Sequence, residues 1–74
     1  MNSNYDKFKI NFIGEIKLIF NDLDINNDTI ILHLLNYREM FYLYNFILKK
    51  YFVKVDFKNY QTLDQIALLI YNEQ

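Results

Sequence analysis

"HLLNYREMFYLYNFILKKYF", residues 33–52, decides how this chain is read. Asn36 is a strong N-cap residue, and Glu39 stands three positions on, where its carboxylate reaches back to the N-cap amide. Lys49 and Lys50 fall in the last turns, where cations suit the negative pole of a helix. These signals predict one helix over 36–52. Seven of the twenty quoted residues are Tyr or Phe, so the helix lacks an ordinary polar face. Phe41, Leu43, Phe46, Ile47 and Tyr51 are expected to face a core. Tyr37, Tyr42, Asn45 and Lys49 follow spacings of three to five and are expected to share an outward face. With Arg38 they form the candidate interaction surface, since Tyr and Arg are enriched where proteins meet.

The rest of the 74-residue chain bounds what this helix packs against. A chain this short buries only about 60% of the surface that its unfolded form exposes. Without Cys it has neither disulfides nor thiolate metal sites, so stability must come from apolar area. A hydrophobic content of 53% supplies that area. A net charge of −1 argues against nucleic-acid or anionic-membrane binding, which calls for a basic excess. The apolar run 40–48 is interrupted by Asn45 and is shorter than the ~20 residues that span a bilayer. No secretory segment is visible at the N-terminus, so a cytoplasmic protein is expected. Seven Lys against the single Arg38, with many Asn and Ile, suggest AT-rich coding, as in a bacterium of low GC content.

Working outward, Phe8, Phe12, Ile16 and Ile19 recur at helical spacing, with Ile13 and Phe20 beside them, and predict a first helix over 5–20. Ser3, the sole Ser, is a candidate cap at its start and is expected to lie in a mobile N-terminal tail. "NDLDINND", residues 21–28, reads as a polar loop rich in side chains that favour turns. "TIILHLL", residues 29–35, is ambiguous between a helical turn and extended chain. "VKVDFKNY", residues 53–60, reads as a connection with room for one helical turn. Thr62 and Gln65 repeat the capping-box spacing ahead of a last helix that turns Leu63, Ile66, Ala67 and Ile70 inward, with Leu69 beside them. Pro is absent and Gly14 is the sole Gly, so no long loop, repeat or linker is marked. One domain over 1–74 follows, an all-α fold in the form of a small three-to-four-helix bundle.

"DFKNYQTLDQIALLI", residues 56–70, and "YFVKV", residues 51–55, resemble the stretches of acyl carrier proteins that leave helix 2 and lead through a short third helix into helix 4. "NDTIILHLLNYREMFYL", residues 27–43, is similar to the carrier loop that ends in Asp-Ser-Leu before helix 2, with one residue fewer here. The resemblance implies an acyl-carrier-protein-like fold. It also places Tyr37 where carriers hold the Ser that receives phosphopantetheine, with Asn36 and Arg38 for its neighbours. A phenol is not expected to serve the transferase, so no prosthetic cofactor is implied. Carriers present an acidic helix 2 to basic enzymes, whereas residues 36–51 carry a net +2, with Tyr42 and Leu48 where carriers usually expose acids. This pattern is most similar to the acyl-carrier-related proteins of bacteriocin-type peptide maturation systems. Such a relationship implies a protein partner, a peptide-modifying enzyme or a precursor peptide.

No catalytic or metal site is expected. Asp22, Asp24, Asn26 and Asp28 alternate as in a calcium loop, but Asn27 and His33 occupy the places of its Gly and its bidentate Glu. His33, the sole His, has no Cys and no carboxylate at ligand spacing, and Thr29 and Thr62 are poor nucleophiles. Nothing evident raises the pKa of Asp22 or Asp24 for acid–base work, and no Gly-rich phosphate loop exists. The expectation is a non-enzymatic docking module. Two alternatives stand beside it: a homodimeric structural or regulatory helical module, and a protein that binds acyl chains without covalent attachment.

Overall fold

Each helix is delimited by the local chemistry of its ends. The computed structural model describes residues 3–73, and of Ser3 the backbone alone. Helix α1 runs Ser3–Ile19, with Asp6 in its first turn and Lys17 in its last, the placement that a helix dipole favours. Ser3 thus belongs to the helix and not to a tail, while the expected cap by its side chain lies outside the described residues. Helix α2, Ile31–Leu34, is a single turn. Helix α3, Tyr37–Tyr51, opens with the anticipated capping box. The Glu39 amide donates to Asn36 Oδ1, and the Asn36 amide donates to Glu39 Oε1, both at 2.9 Å. Helix α4, Leu63–Glu73, starts from the second box. There the Gln65 amide donates to Thr62 Oγ1 at 3.2 Å, and the Thr62 amide to Gln65 Oε1 at 3.1 Å.

The short helix lies ahead of α3. "TIILHLL" is resolved as α2, whereas 53–60 holds a single turn, closed by the Tyr60 amide donating to the Asp56 carbonyl at 2.9 Å. Asp56 opens this turn, its side chain accepting from the Lys58 amide and from Asn59 Nδ2. The loops before α2 and α4 are knitted together by an Ile30–Thr62 bridge and by the Ile31 amide donating to the Gln61 carbonyl at 2.8 Å.

The core lies between α1, α3 and α4, with α1 and α4 the closest helix pair. Phe12, Ile13 and Ile16 come from α1 and Phe20 from the turn just after it, Leu43 and Ile47 from α3, and Leu63, Ile66, Ala67 and Ile70 from α4. Val53 and Val55 alternate inward while Lys54 and Asp56 point out, the period of extended chain. Ile25, inside the polar loop, is also buried and pins that loop to the core. Asn26 and Thr29 close the turn that follows it through reciprocal side-chain bonds. Gly14 lies mid-way along α1, partly exposed, and a methyl group added there would meet nothing within 4 Å. No helix among the described residues is long and apolar enough to cross a membrane.

One expectation about the core is corrected. Phe41 is 71% exposed. Leu43 and Ile47, one turn apart, set the inward direction of α3, and Phe41 projects roughly 140° away at 100° per residue. Leu43 and Ile47 are buried as expected, while Phe46 and Tyr51 pack on the margin of the core.

Candidate functional site: the outer face of helix α3

Helix α3 is apolar on both sides. Its inner side fills the core, and its outer side leaves Tyr37, Phe41 and Tyr42 exposed, joined by the cap residue Phe52. Single exposed aromatics are ordinary on protein surfaces, but four on one helix form a patch.

The patch has shape as well as area. An open groove of about 760 Å³ runs along it, lined by Arg38, Phe41, Tyr42, Asn45, Phe46, Lys49 and Lys50. A second depression of about 390 Å³ shares Arg38 and Tyr42 with it and reaches Ile19 and Phe20 at the end of α1. The Tyr42 ring is held edge-on against Phe20, with centroids 6.3 Å apart. The groove wall therefore stands on the core itself.

Of the surface residues expected from the sequence, Arg38, Tyr42, Asn45 and Lys49 are brought together along this groove. Tyr37 is 89% exposed but lines neither depression. Phe41, Phe46 and Lys50 line the groove without having been singled out for this surface. The spacing of Arg38, Phe41, Asn45, Leu48 and Phe52, three then four residues in alternation, is the signal that would have found Phe41. Asn45 donates its side-chain amide to the Phe41 carbonyl at 2.9 Å, which holds it against the helix.

The groove is cationic, and its cations differ. Lys50 is committed to α1: its ammonium pairs with Glu15 and lies over the Phe46 and Tyr51 rings, 5.7 and 5.6 Å from their centroids. Tyr51 donates its hydroxyl to the other Glu15 oxygen at 3.1 Å. Partial burial, then the neighbouring Glu15 charge and that hydrogen bond, push the Tyr51 phenol up to about 12. Arg38 and Lys49 enter no ion pair among the described residues, in which the two ion pairs are Lys50–Glu15 and Lys9–Asp64. No carboxylate lines the main groove. Of the acids beside it, Glu15 pairs with Lys50, and Glu39, which lines the second depression, is bound into the capping box.

Outside α3 one ion pair joins two helices. Lys9 lies 3.0 Å from Asp64 Oδ1, a solvent-excluded oxygen that has no hydrogen bond otherwise, and clamps α1 to α4. The hydrogen bond that Lys9 donates to the Asp64 carboxylate holds the Lys9 pKa above its ordinary value. His33 is exposed on α2. Asn26, one of the alternating residues of the polar loop, spends its side-chain oxygen on the Asp28 amide and the Thr29 hydroxyl. Among the described residues no three His, Asp or Glu side chains are grouped to hold a metal ion. No protein-family model matches the chain, and no curated protein or solved structure matches it either.

Proposed function

We propose that the chain is a non-catalytic, acyl-carrier-like interaction module, an accessory factor of a bacteriocin-type peptide maturation system that is not itself phosphopantetheinylated. The observation that carries this reading is the outer face of α3, where exposed aromatic rings and two unpaired cations border one groove. An aromatic patch of this kind is costly to leave in water, and a protein partner would cover it. The carrier part of the reading rests on the sequence resemblance, and Tyr37 at the first position of α3 supports the absence of the prosthetic group. In carriers that position holds a primary alcohol; here it holds a phenol, exposed and outside the groove.

The test has two arms. Incubation with coenzyme A and a broad-specificity phosphopantetheinyl transferase should leave the intact mass unchanged; stoichiometric labelling would overturn the reading. Affinity purification from the source organism should yield an unmodified bait held by a peptide-modifying enzyme or a precursor peptide. A bait that brings down only itself would replace this reading with the homo-oligomeric module.

A further inference from the structure

We infer that the α3 groove takes an amphipathic helix of a partner protein, bearing two acidic residues about three turns apart with apolar residues between them. The inference rests on the docking reading above and names the chemistry of the partner. Arg38 and Lys49 stand eleven residues apart on one helix, about 16 Å along its axis. Counted from Arg38, the residues Phe41, Asn45, Leu48 and the cap residue Phe52 recur every three, four, three and four residues, with Arg38, Phe41 and Asn45 lining the groove. That period, 3.5 on average, is the one that keeps a seam facing a second helix over several turns. Asn45 sits in the middle of the seam, where a single polar residue fixes the register of a helical partner. A helix laid along this seam would bring carboxylates spaced three turns apart onto Arg38 and Lys49, the two groove-lining cations that enter no ion pair among the described residues.

The charges favour a foreign helix over a second copy. Two α3 faces packed on each other would bring four unpaired cations together with no lining carboxylate to offset them. Helix α4 is a poor ligand for the groove, because Asp64 is already bound to Lys9. The acidic residues Asp22, Asp24 and Asp28 lie in a loop, not on a helix that could fill a seam. A lipid surface fits less well than a helix, because the two unpaired cations of the groove, on a chain of net charge −1, give weak attraction to anionic headgroups. The groove is also concave, which suits a rod better than a plane.

The experiment uses synthetic helical peptides carrying one Trp, whose emission reports on the peptide alone because this chain has none. The first peptide presents two Glu eleven residues apart beside a Leu/Phe seam. The second has Gln in place of both Glu. The first should bind saturably, and the second at least about tenfold more weakly. Phe41→Ala should weaken the first peptide by about tenfold or more, as truncation of a central anchor does. Arg38→Gln and Lys49→Gln should each weaken it and flatten its salt dependence, with helicity by circular dichroism unchanged. Equal binding of the two peptides, or binding of neither, overturns the inference. So does a sedimenting dimer, or adhesion to phosphatidylserine vesicles, that Phe41→Ala abolishes. These outcomes leave the docking reading to its own test, since a captured partner could still use another segment or chemistry.

Discussion

Leu43 and Phe41 lie two residues apart on α3, and truncating each to Ala separates its two faces. Leu43 is fully buried, and Leu→Ala at such sites costs about 2–5 kcal/mol through lost transfer energy and the cavity left behind. A core of this size supplies roughly 3–5 kcal/mol in all, so Leu43→Ala should be largely unfolded or close to it. Phe41 is the larger side chain, but a little under a third of it is covered. A fully enclosed Phe buries about 150–250 Å², so the covered part is roughly 60 Å². At about 25 cal/mol per Å² this is roughly 1.5 kcal/mol. That is an upper bound, because unfolded chains also cover their side chains in part. Ala is the better helix former by roughly 0.5 kcal/mol, which leaves a net cost of about 1 kcal/mol or less. Urea unfolding followed by circular dichroism measures both variants. If Phe41→Ala loses 2 kcal/mol or more, roughly the low end for a buried site, the side chain is part of the core and the outward face of α3 is misassigned.

Three further outcomes follow from other parts of the fold. Asn36→Ala should cost about 1 kcal/mol and Asn36→Gly only a few tenths, because Gly tolerates the N-cap backbone. In a domain of this size, 1 kcal/mol lowers the melting temperature by roughly 4–8 °C, and an unchanged melt for Asn36→Ala would contradict the capping geometry. Phe52 caps α3 in the left-handed region at φ 60°, so Phe52→Gly should raise the urea midpoint by relieving roughly 1 kcal/mol of strain; a fall would show that the ring supports the fold. The Tyr51 phenol titrates near 10.0 unfolded and about 12 folded, so the native state holds its proton more tightly. Its contribution is complete below pH 10 and is lost as pH rises from 10 towards 12. The stability advantage of the wild type over Tyr51→Phe should therefore shrink across that range in pH-dependent urea melts, and a constant difference would refute the assignment.

The helix ends were legible because their hydrogen bonds are local. Asn36 with Glu39 and Thr62 with Gln65 each satisfy backbone donors within one turn, and no distant residue is needed to recognise them. The stripes of α1 and α4 were legible for a related reason: each helix has one apolar face, so periodicity also gives its direction. Helix α3 has two apolar faces, and periodicity does not say which of them meets the core. That choice is made by packing, which admits Leu43 and Ile47 and turns Phe41 outward. Ile25 was hidden among Asn and Asp because a single anchor has no period. The Lys50–Glu15–Tyr51 cluster joins residues 35 and 36 positions apart, a separation that no local pattern reports.

The glycine in the middle of α1 carries a lesson about selection. A methyl group there would meet nothing within 4 Å, yet Gly is worse than Ala in a helix interior by roughly 0.8–1.0 kcal/mol. Ala at this position lies one nucleotide change away, so the chain carries a removable handicap in a domain whose whole margin is only a few such increments. Selection of this kind sets a floor for folding and is indifferent above it. A handicap at Gly14 is thus tolerated for as long as the rest of the chain keeps the fold above that floor.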